Sequence, residues 1–132
     1  MAGNPSVGLT AAGAAGPDQS LRSLGKVILD LTELVRLVPA SLPAAKPWQR
    51  QLIAELSDAD RLIQVLRMTV SMERPDHEIR EAAMAVRVAC RKASATAASS
   101  RSDATTKAAA KLIADMATRM HAGVALGRAG KD

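Results

Sequence analysis

The sequence predicts an all-α fold, an up-down-up-down antiparallel four-helix bundle behind a disordered N-terminal tail. Three observations carry this. The chain has no Phe, no Tyr and one Trp, so its 48% hydrophobic content is aliphatic and alanine-rich. Strands favour aromatic and β-branched side chains, whereas Ala, Leu, Arg, Lys and Glu favour helix. Four stretches place apolar residues at alternating spacings of three and four, which lines one face of a helix. The breaks between them are short, and short connectors make long helices antiparallel neighbours. At 132 residues the chain fits one domain, long enough to bury a core without staples.

Residues 1–18 are rich in Gly and Ala, carry Pro5 and Pro17, and show no apolar period, so they read as a disordered tail. The bundle is expected over residues 19–127, with a disordered end at 128–132. The first helix is read from Gln19 to Val38, on the stripe Leu21, Leu24, Ile28, Leu31, Val35 and Val38. Val27, Leu34 and Leu37 widen that stripe, which marks this helix as the most buried. Asp18 or Ser20 can cap its start and Pro39 ends it. Residues 39–47 hold three prolines and form a semi-rigid connector.

The second helix opens near Pro47, with the stripe Leu52, Leu56, Ala59, Ile63, Leu66 and Val70. The third opens at Pro75 or Asp76 and follows Ile79, Ala83, Val86, Cys90, Ala93 and Ala97, with Arg80, Arg87, Arg91 and Lys92 opposite. A turn at 98–102 leads to a fourth helix capped by Ser102 or Asp103, with Ala109, Leu112, Ile113, Met116 and Met120 inward and Gly123 and Gly127 fraying its end. The Leu/Ile-rich first pair is expected to be the firmer half, and the Ala-rich last pair the looser one.

The net charge of +5 is unevenly placed. Residues 1–73 carry seven Lys/Arg and seven Asp/Glu, whereas residues 74–132 carry eleven against six. That basic half points to an acidic partner, a nucleic acid or simply a solvated face. The start has no basic region followed by an apolar stretch, so it is not a secretory signal peptide, and no run of about 18 apolar residues exists to span a membrane. One cysteine, Cys90, excludes an internal disulfide and fits a reducing, cytoplasmic setting.

Nothing in the pattern builds catalytic, cofactor or metal chemistry, and the protein is expected not to be an enzyme. His77 and His121 lie on different helices with no second ligand at metal spacing. His77 reads as an exposed first-turn residue, and His121 as a last-turn residue whose imidazole suits the helix dipole. Cys90 falls on the small-residue face and reads as core. Asp58 and Asp60 point to different sides of one helix. Trp48 is expected to cover the bundle's end with its indole N–H in water, or alternatively to anchor a partner.

The segment LVPASLPAAKPWQRQLIAELSDADRLIQVLR carries Leu37-Val38-Pro39, Pro43, Pro47, Leu52, Leu56, Ala59 and Arg61-Leu62. It resembles focal-adhesion-targeting-type bundles, as in the C-terminal domain of receptor-kinase-interacting scaffold proteins that bind paxillin. There a Leu-aromatic-Pro helix end leads through a proline-rich turn into a leucine-bearing helix. The later TKAAAKLIADMATRM is similar in texture to talin and vinculin bundles. The chain departs from that pattern in having a tail where the family has a preceding helix, and an extra helix at its C-terminus. The resemblance implies a helical scaffold that takes a partner's amphipathic helix in a groove.

The leading expectation is therefore a non-catalytic protein–protein interaction module, an adaptor, scaffold or subunit of an assembly, that binds an amphipathic helix or an acidic surface. Candidate partner-binding residues are Trp48, Arg61, Arg67, Arg87 and Arg91. Two alternatives are a basic nucleic-acid-associated protein and a secreted bacterial effector or secretion-apparatus protein, exported by a leaderless route through its unfolded N-terminus.

Overall fold

The computed structural model describes residues 17–129. They form four helices and no strand: α1 Pro17–Ala40, α2 Pro47–Ser71, α3 Asp76–Ala98 and α4 Ala104–Ala129. Consecutive helices run antiparallel. Each packs on the two beside it, α1 closing the ring on α4, and none packs on the helix diagonally across. The expected tail at 1–18 lies outside the described residues except for Pro17 and Asp18, which begin α1. Asp18 and Ser20 therefore fall inside its first turn rather than before it.

The stripes meet in one core. Ile28, Leu31, Val35 and Val38 of α1 face Leu52, Leu56, Ala59, Ile63 and Leu66 of α2 and the third helix's Ile79, Ala83, Val86, Cys90, Ala93 and Ala97. The α4 stripe differs from expectation. Its core residues are Ala110, Ile113, Ala117, Met120 and Val124, while Leu112 is 44% exposed. Alanine fits either face of a helix, so two alanines and one valine completed this face without a strong apolar period.

Two expectations about packing are corrected. Helix α1 is not the most buried: Leu37 stands exposed, and Val27 and Leu34 are only partly covered. Nor is the Ala-rich pair looser. Helix α3 packs on α2 and on α4 more extensively than α1 packs on either neighbour. The cause is side-chain size. Buried Ala83, Ala89, Ala93, Ala97, Ala110, Ala114 and Ala117 let backbones approach, whereas α1 buries Ile, Leu and Val and is held off by them.

The connectors explain the helix ends. Pro39 does not stop α1, which runs to Ala40. Its fixed φ suits a helix, and the last turn then tightens through Ser41 N–H to Val38 O at 3.2 Å and Leu42 N–H to Pro39 O at 3.2 Å. The α1–α2 connector is tied from the far side. Gln49 Oε1 accepts the backbone N–H groups of Ala45 and Lys46 at 3.2 and 2.8 Å, and Arg50 Nη1 donates to Ala45 O at 2.9 Å.

Helix α2 ends in a Schellman motif. Glu73 N–H bonds Val70 O at 3.0 Å, Arg74 N–H bonds Thr69 O at 3.1 Å, and Glu73 takes the left-handed conformation at φ 53°. The Arg74 guanidinium then grips Glu78 with two 2.9 Å bonds. That hydrogen bonding holds the Glu78 carboxyl below its ordinary range.

Between α3 and α4, Ser100 and Ser102 donate their hydroxyls to Ala97 O at 2.8 and 3.0 Å. Asp103, not Ser102, caps α4: its Oδ1 accepts Thr106 N–H at 2.8 Å, and the hydrogen bonds with Thr106 hold its carboxyl below the ordinary range. Helix α4 continues through Gly123 and Gly127 to Ala129, so residues 128 and 129 are helical, and 130–132 lie outside the described residues. His121 consequently sits about two turns before the helix end.

Candidate functional site: the outer faces of α2 and α3

The ionic side chains are used locally. Arg61 donates to Asp58 at 2.7 Å, three residues back on the same helix. Asp60 turns the other way, accepts Arg36 Nε of α1 at 3.1 Å and so joins two helices. These two carboxylates diverge, as their spacing requires.

The five candidate residues do not gather into one site. Trp48 is only partly exposed and packs against the core. Its indole N–H is enclosed with no hydrogen-bond partner, so the expected wet N–H is corrected. An unmet buried donor costs about 1–3 kcal/mol, which the apolar area of the indole must outweigh. On α2, Arg61 and Arg67 are six residues apart, roughly 240° around the helix. Arg61 is ion-paired and Arg67 is exposed. On α3, Arg87 and Arg91 are four apart and share a face. Arg87 folds onto Met84, with Nη1 3.9 Å from Sδ and with Nε enclosed and unpartnered.

Sequence reasoning missed the apolar side chains on the outer faces. Val65 and Met68 stand exposed on α2 and Met72 at its C-cap, at spacings of three and four that continue from Arg61. Met84 and Val88 do the same on α3, and Leu29, Leu37 and Leu112 add exposed apolar area on α1 and α4. The signal was present: Val65, Met68 and Met72 all fall off the Leu52–Val70 stripe, as Met84 and Val88 fall off the α3 stripe.

The groove between α2 and α3 is shallow. It encloses about 250 Å³ and is lined by Gln51, Ala54, Glu55, Asp58, Ala89 and Lys92. That is below the usual size of a small-molecule pocket. Among the described residues, no three His, Cys, Asp or Glu side chains cluster as a metal site, and no helix is long and apolar enough to cross a membrane. Cys90 is fully buried on α3, and burial pushes its thiol up to about 12. It is a core side chain, not a poised nucleophile.

No protein-family model matches the chain, and neither a curated protein nor a solved structure matches it significantly.

Proposed function

We propose that the protein is a non-catalytic helical interaction module, an adaptor, scaffold or subunit of an assembly, that holds a partner helix against its outer surface. The observation that carries this reading is the set of apolar side chains left outside the core, Val65 and Met68 on α2 with Met72 at its C-cap, and Met84 and Val88 on α3. Helix-in-groove recognition uses anchors at this spacing, and methionine adapts its shape to the surface it meets. The resemblance of the Pro-rich turn and α2 to focal-adhesion-targeting bundles points the same way.

A photo-reactive residue placed at Met68 in the native cell tests it. A discrete protein adduct that disappears when Val65→Asp and Met72→Asp are added is the expected result. No adduct, together with a monomeric mass in cell extract, would overturn the reading.

The basic half of the chain supports a second reading, nucleic-acid association, because Arg80, Arg87 and Arg91 lie along one helix face and neither Arg87 nor Arg91 is ion-paired with a carboxylate of the described residues. The export reading rests on residues 1–18, nearly all outside the described residues.

A further inference from the structure

We infer that the outward face of α3, the stripe Arg80, Met84, Arg87, Val88 and Arg91, is the docking surface for an acidic amphipathic helix of a protein partner. This rests on the interaction-module reading and names its surface and the partner's chemistry. The stripe runs at spacings of four, three and four, with Val88 beside Arg87, and from Arg80 to Arg91 it is about 16 Å long.

Most of its charge is unmatched. Each of the other three helices holds an ion pair, Lys26–Asp30, Arg61–Asp58 and Lys111–Asp115, yet no carboxylate of the described residues is ion-paired with Arg87 or Arg91. Arg87 adds a second reason. Lying on Met84, it leaves its Nε enclosed without an acceptor, so a pose that offers a carboxylate to both Nε and Nη is favoured over the unbound one.

The apolar members decide which polyanion fits. Met84 is 39% and Val88 58% exposed, between and beside the arginines. Phosphates have no use for that area, and the stripe carries no aromatic side chain on which a base could stack. A helix with aliphatic residues at three-four spacing, flanked by Asp and Glu, covers both kinds of side chain at once.

The test uses the full-length chain and three probes: a helical peptide with leucines at three-four spacing flanked by glutamates, the same composition scrambled, and a DNA duplex. Fluorescence anisotropy is expected to show binding of the first peptide only, weakened roughly tenfold by Arg87→Ala with Arg91→Ala and by added salt. Val88→Ser is expected to weaken it several-fold while Lys26→Ala, on the helix diagonally across the bundle, leaves it unchanged. Circular dichroism checks that each variant keeps its helix content. The inference is overturned if the scrambled peptide binds equally, if only the duplex binds and Val88→Ser has no effect, or if nothing binds. Photo-reactive residues at Val88 and Met68 in the native cell separate the two readings. An adduct at Met68 alone removes the α3 surface and leaves the module standing, whereas no adduct at either removes both.

Discussion

Glu73→Gly is expected to stabilise the protein. Glu73 sits at φ 53°, a left-handed conformation that costs a residue with a Cβ roughly 1–2 kcal/mol. Glycine removes that cost but loses more backbone entropy on folding, about 0.5–1 kcal/mol. The net gain is therefore roughly 0.5–1 kcal/mol, the difference of those two terms. The bonds that close the turn, Glu73 N–H to Val70 O and Arg74 N–H to Thr69 O, are backbone bonds and survive the change. The Glu73 side chain takes no part in the ion pair that holds the loop, which joins Arg74 to Glu78. Urea unfolding followed by far-ultraviolet circular dichroism measures the effect, as a higher midpoint at unchanged slope. Glu73→Ala is the control, because it keeps the Cβ and the strain, and it should lie within about 0.5 kcal/mol of the parent. If the glycine variant proves no more stable than the alanine variant, the left-handed turn is not where the strain resides.

Cys90 provides a pH test: burial raises its thiol to about 12, so between about 9 and that value the native chain keeps a proton that the unfolded chain has lost. Its contribution is fully present below the unfolded value and falls as pH rises through that window; urea midpoints in alkaline buffers should drop more steeply for the parent than for Cys90→Ala, and equal slopes would refute it. In the core, Ala93→Leu should destabilise by about 1–3 kcal/mol, because the close α3 packing has no room for the added carbons. An unchanged urea midpoint would show a gap beside Ala93 instead.

Much of the fold was legible because α2 and α3 carry unambiguous periods. Leu52, Leu56, Ala59, Ile63 and Leu66, and Ile79 through Ala97, are buried residue for residue as their spacing implies. Helix α4 was less legible, since its inner face is largely alanine, and Leu112 was placed inward when it stands outside. The relative tightness of the pairs ran opposite to expectation, because large aliphatic side chains read as strength in a sequence while small ones set the distance between helices. Candidate binding residues were chosen by charge, which found Arg87 and Arg91 but passed over Met84 and Val88 between and beside them. An apolar residue off its own stripe is the signal that was available. The enclosed Trp48 N–H could not be read from sequence, because it depends on how the ring packs against the core and not on any spacing along the chain.

The Arg36–Asp60 pair has one more consequence. Among the described residues, the other four ion pairs join side chains three or four positions apart, so this one alone ties helix to helix by charge. Alignment between the helices is thus a matter of shape, written in the aliphatic and alanine layers and nearly blind to ionic strength. Away from the charges that cap helices or tie connectors, surface charge on this scaffold can be rewritten with little effect on the layers beneath it.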